Sequence, residues 1–205
     1  MMRKTFSAAM TLVLVSAASF CFSRQVEAAN WYGATSSVSW CHGNMQDNGQ
    51  MTYHRSGLSG GMWEAVATTL AYDVSPTDID LQSEHLSSDV NTDVVYLESN
   101  YSGLRATCGT TNYYWHGTPG VPSGSTVAIG WAKCQALSGS RCQRFNVYFD
   151  SSWTGGASAV GRLHLACHES GHTVGLKHGD DGSCISASSG TFLTTHDRSH
   201  IDANY

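Results

Sequence analysis

His168-Glu169-Ser170-Gly171-His172-Thr173-Val174-Gly175-Leu176-Lys177-His178 spans residues 168–178 and reads H-E-x-x-H-x-x-G-x-x-H. On a helix, residues four apart leave the same face one turn apart, so His168 and His172 present their imidazoles together. Two neutral imidazoles at that spacing suit one Zn²⁺. Glu169 stands beside the first ligand, placed to act on a water at the metal without ligating it. Gly175 is the residue type that ends a helix in a left-handed conformation. The turn it makes returns His178 as third ligand, and three protein ligands leave a fourth position open, as in catalytic zinc sites. A buried amphipathic helix carrying histidines by chance is the bland reading. The Gly-x-x-His extension argues against it.

Working outward, Ser158 caps a helix expected over Ala159–Val174, with Val160, Leu163, Cys167, Gly171 and Val174 as its packed face. Upstream, Phe145–Phe149 alternates as a strand, Thr126–Ala132 reads as another, and Asp93–Glu98 as a third with a buried centre. Residues between Glu98 and Thr126 read as Gly/Ser/Thr-rich loops around a Tyr113-Tyr114-Trp115 cluster. Met62, Val66, Leu70 and Trp63, Ala67 recur at helical spacing over Met62–Tyr72, with Pro76 just beyond. Residues 29–61 are rich in Gly, Ser and Asn, with a short strand at Met51–His54. No internal repeat or interdomain linker interrupts this order.

The extended histidine motif resembles the metzincin clan of zinc endopeptidases. The resemblance is close over residues 159–178 and one of element order elsewhere. It implies an α/β (α+β) fold: a twisted mixed sheet, a backing helix, an active-site zinc helix and a small C-terminal subdomain. Residues 29–178 would form the N-terminal subdomain and 179–205 the C-terminal one. His168, His172 and His178 would hold one catalytic Zn²⁺, with Glu169 as general base. The clan's edge strand lines the cleft, which makes Thr126–Ala132 the candidate, with Ile129, Gly130 and Trp131 binding extended substrate by strand addition. An interior strand is the alternative.

The chain departs from the clan at one place. A methionine-containing turn lies beneath the histidines in metzincins, whereas here no methionine follows Met62. Gly182-Ser183-Cys184-Ile185-Ser186 stands in its place, with Ile185 filling a similar apolar volume. A tyrosine found after that turn in some relatives is missing near Ser186–Ser189, leaving Tyr205, His196 and His200 as candidates to assist zinc at the oxyanion. Asp180 and Asp181 are alternative third ligands, since an aspartate serves in some related bacterial enzymes. His164 shares the face of His168 as a packed or supporting residue, and His196 with His200 is a candidate second metal pair. Arg105-Ala106-Thr107-Cys108-Gly109 is similar to the cysteine-switch segment of matrix metalloproteinases. It lies inside the domain, and Cys108 is better read as half a disulfide.

The chain has 205 residues and formal net charge −5, which gives no footprint for nucleic acid or an anionic membrane surface. Arg3 and Lys4, the apolar stretch Ala8–Phe22 and the small residues around Val26-Glu27-Ala28 compose a signal peptide over 1–28. Removing it leaves one domain, 29–205, secreted and more acidic still, with a monomer expected. Of the 7 cysteines, Cys21 goes with the leader. The even remainder suits disulfides in an oxidising compartment. Cys134 with Cys142 and Cys167 with Cys184 are the local pairs, leaving Cys41 with Cys108. No C-x-x-C spacing favours thiolate ligation of zinc. Asn100-Tyr101-Ser102 is a glycosylation sequon. No EF-hand spacing occurs, and structural calcium stays open.

The function expected is peptide-bond hydrolysis of a peptide or protein substrate by zinc-activated water. A zinc hydrolase of cell-wall peptide or another amide, and a non-catalytic secreted zinc-binding module, are the rivals. Glu169 separates the last, because a structural zinc site needs no general base.

Overall fold

The computed structural model describes residues 44–205 apart from 102, 109, 180–181 and 187–189. The signal peptide, Cys41, Asp180, Asp181 and Ser102 of the sequon therefore lie outside the described residues.

The chain runs β1 (Gln50–Ser56), α1 (Gly60–Thr69), β2 (Asp80–Glu84), β3 (Val94–Ser99), β4 (Arg105–Cys108), β5 (Thr111–Trp115), β6 (Thr126–Ala128), β7 (Gly130–Ser138), β8 (Arg141–Asp150), α2 (Ser151–Thr154), α3 (Ala159–Thr173) and α4 (Thr195–Asp202). This is a mixed α+β architecture. A five-stranded sheet has the order β2-β1-β3-β8-β7, and a three-stranded sheet the order β4-β5-β6. The first four strands of the larger sheet are mutually parallel, and β7 joins β8 antiparallel at the edge. Parallel neighbours need crossovers, and α1 supplies the one between β1 and β2.

The burial of β8 shows why the sheet holds the helices. Phe145, Val147 and Phe149 are buried at alternating positions, and Cys142 is buried beyond an irregularity in the register. They share one core with Met62, Val66 and Leu70 of α1 and Leu165, Ala166 and Cys167 of α3. α3 packs on α1, β7 and β8. Tyr96, fully buried at the centre of β3, places its hydroxyl 3.1 Å from the Ser170 hydroxyl and ties sheet to helix.

Several expectations change in detail. The Thr126–Ala132 strand is broken at Ile129: Thr126–Ala128 pairs with β5, and Gly130 onward pairs with β8. The loop region after Glu98 contains the β4–β5 hairpin, with Tyr113 and Tyr114 paired to Ala106 and Arg105. Val160 is 66% exposed, so the packed face of α3 starts a turn later than its periodicity suggests. There Arg162 lies across Gly61 of α1, where a Cβ would meet its guanidinium. α1 continues past Tyr72 as a wider π turn, Leu70–Val74, closed by the Ser75 amide on the Leu70 carbonyl. That turn buries Asp73, which accepts from the Leu193 amide at 2.8 Å and from Arg198 at 3.3 Å. The segment entering α4 is thereby fastened to the end of α1.

Candidate metal centre

α3 begins where the Ser158 hydroxyl accepts the Gly161 amide at 3.1 Å. It ends at Thr173, and Gly175 follows with φ of +93°. A β-carbon opposes that conformation, so glycine is the residue that lets the chain reverse here. Val174 forms an isolated bridge with Met45, and the reversal carries His178 back over the helix.

The three histidines then meet. Their ligating atoms all lie within 4.8 Å of one another, the only such His/Cys/Asp/Glu group among the described residues. His168 Nε2 and His178 Nε2 are 3.0 Å apart. Two nitrogens bound to one tetrahedral ion at 2.0–2.1 Å lie about 3.3 Å apart, so a small shift admits the ion. The other ring nitrogens are occupied. His168 Nδ1 is 2.8 Å from the Cys184 carbonyl, and His172 Nδ1 is 2.7 Å from the Leu176 carbonyl. A carbonyl accepts only, so each Nδ1 carries the proton and each Nε2 keeps its lone pair for a metal. Burial, then the neighbouring His178, holds the His168 imidazole down to about 4. Burial, with His168 and His178 beside it, holds His172 well below the usual value. Burial also lowers His178. The donors are therefore neutral at physiological pH, and the set fits a metal ion.

Glu169 points from the same helix toward the sheet edge. It is 5% exposed, and burial pushes its carboxyl up to about 8, opposed by the hydrogen bond from the Ala132 amide. That donor comes from the side of β7 that faces away from β8. The Asp150 amide donates to the Ile129 carbonyl at 2.9 Å, which makes Gly130 and Phe149 a non-hydrogen-bonded pair. The backbones of Ile129 and Trp131 therefore face β8, while those of Gly130 and Ala132 face outward. This adds Ala132, which the sequence reading did not single out. Gly130 abuts the carboxylate: a Cβ there would lie 2.7 Å from Glu169 Oε1 and 2.7 Å from Leu165 Cδ1. The Trp131 ring meets Tyr113 edge to face at 5.7 Å, bringing the smaller sheet to the same place.

Beneath the site, Ile185 is fully buried in a turn over residues 182–186, and a Cβ on Gly171 would collide with it. The Cys167–Cys184 disulfide joins this turn to α3, with Cα atoms 5.8 Å apart. Cys134–Cys142 closes the β7–β8 hairpin. Cys108 is also disulfide-bonded, while Cys41, its expected partner, lies outside the described residues.

The remaining candidates lie elsewhere. His164 Nδ1 bonds the Gly190 carbonyl, and its ring is 5.8 Å from His168, a supporting rather than ligating position. His196 and His200 pack edge to face on α4, and no third ligand type joins them in a metal-sized group among the described residues. Tyr205 packs against Arg141 on the β7–β8 hairpin. No protein-family model matches this chain, and no curated protein matches it.

Proposed function

We propose that this protein is a secreted zinc endopeptidase of the metzincin type. The observation that carries the reading is the convergence of three neutral imidazoles beside a buried carboxylate held under a sheet edge. Zn²⁺ bound by His168, His172 and His178 would polarise a scissile carbonyl and acidify a water. Glu169 takes a proton from the attacking water at its carboxylate and passes it to the leaving nitrogen. Its raised pKa suits that duty, because a cation at the histidines draws it back toward neutrality and a base near the working pH both takes and returns protons. The outward amide and carbonyl of Gly130 and the outward carbonyl of Ala132 can hold an extended peptide alongside the carboxylate, which keeps the Ala132 amide. The bridges Cys134–Cys142 and Cys167–Cys184 suit an oxidising compartment outside the cytosol. No described helix is long and apolar enough to cross a membrane.

The test is cleavage of a quenched unfolded-protein substrate by the mature chain and by Glu169→Gln, with bound zinc measured in each. One zinc in both and cleavage by the wild type alone is the expected result. Zinc in both and cleavage by neither overturns the endopeptidase reading, and lysis of purified peptidoglycan under those conditions would select a cell-wall hydrolase.

A further inference from the structure

The turn under the metal centre carries an arrangement that its packing alone does not require. Cys184 offers its carbonyl to His168 Nδ1 at 2.8 Å, while its sulfur is bonded to Cys167, the residue immediately before His168. Ligand and acceptor are thus closed into one small ring of two covalent links and one hydrogen bond: Cys167 leads by peptide bond to His168, His168 donates to the Cys184 carbonyl, and Cys184 returns to Cys167 through the disulfide. Both cysteines are buried, at 1% and 0% exposure. The other side of Cys184 is also fixed, its amide donating to the Phe192 carbonyl at 3.1 Å. His172 shows the contrast. Its acceptor, Leu176, follows four residues later in the same reversal and needs no cross-link. The acceptor for His168 comes sixteen residues downstream, from a segment outside the reversal that follows α3, which touches the helix through Ile185 against Gly171 and through the bridge.

We propose that the Cys167–Cys184 bridge is a positioning device for the metal centre, holding the Cys184 carbonyl where it sets the tautomer and orientation of His168. The inference rests on the metal-site reading above. Loss of a partner that orients a metal-bound histidine typically weakens metal binding about 10- to 100-fold. A bridge serving only the stability of the fold would instead act through the folded fraction and leave the affinity of folded molecules unchanged.

Zinc affinity is measured by competition with a chromophoric chelator for the wild type, for Cys167→Ala/Cys184→Ala, and for Cys134→Ala/Cys142→Ala as the control bridge. Each is confirmed folded by circular dichroism. The imidazole ¹⁵N shifts of His168 in the metal-free proteins report its tautomer. The expected result is affinity weakened about 10- to 100-fold in the first variant, with the Nε2-H tautomer gaining population, and a change under about 3-fold in the control. Equal affinities and an unchanged His168 tautomer overturn the inference. A wild type that binds no zinc fails the metal-site reading instead, so the two failures are distinguishable. If Cys167→Ala/Cys184→Ala does not fold, the folded control variant is reduced with a trialkylphosphine. The phosphine becomes its oxide, with oxygen from water, as the bridge takes up two electrons and two protons. Zinc release tracking exposure of the Cys167 and Cys184 thiols while circular dichroism stays native supports the proposal, and zinc retention after complete reduction overturns it.

Discussion

At the scale of single residues, the site combines groups whose burial drives their protonation in opposite directions. Below about pH 6.5 an unfolded histidine is protonated, whereas the buried ligands resist, His168 down to about 4. The unfolded chain then binds more protons, so the metal-free fold loses stability as pH falls from about 6.5. Glu169 acts the other way. Its native carboxyl keeps its proton up to about 8 and the unfolded one releases it near 4.5, so stability is lost as pH rises through that window. Denaturant unfolding of the metal-free protein should therefore be most favourable to the fold near about pH 6.5. Glu169→Gln should flatten the alkaline limb, and an unchanged limb would contradict the buried carboxyl. With zinc bound, Glu169→Gln should lower turnover about 10²- to 10⁴-fold while metal content holds. Gly130→Ala is expected to lower kcat about 100-fold with little change in KM or zinc, because the new methyl group displaces the carboxylate rather than the substrate. The histidines and Glu169 were legible because their spacing follows from helix geometry. Gly130 and Ala132 as partners of Glu169 were not, since that contact joins positions far apart in sequence and depends on which way one strand edge faces.

Among the elements, α3 and the turn over residues 182–186 behave as one body. Ile185 fills the space over Gly171 where the resemblance called for a methionine turn. Ile185→Ala should cost about 2–5 kcal/mol of stability and loosen zinc. Ile185→Met, close in volume, should cost under about 1.5 kcal/mol. Thermal unfolding with and without zinc checks both. The helices were readable where apolar periodicity and a cap agreed, as at Ser158 and the α3 stripe from Cys167 onward. The π turn after α1 was not, because the partners of the Asp73 it buries, the Leu193 amide and Arg198, lie more than a hundred residues later. The β4–β5 hairpin was missed for a related reason: its Ser, Thr and Asn content suits loops, and cross-strand pairing decides otherwise.

For the whole molecule, zinc should stabilise by mass action, about 4 kcal/mol at a thousandfold excess over Kd. A chelator should lower the unfolding midpoint and zinc restore it; a midpoint indifferent to both would separate the site from the fold. The mixed sheet and its helices were legible as an order of elements, whereas the strand order was not, because pairing partners carry no mark of one another in sequence. That order also has a consequence in time. β3 lies between β1 and β8, so Val94 pairs with Tyr53 early but waits for Phe145 to complete its other side. Until β8 has been made, the central strand lacks one of its two neighbours. A polypeptide so arranged cannot complete its central strand until its last long strand has been made, and the helix of histidines follows that strand in the sequence.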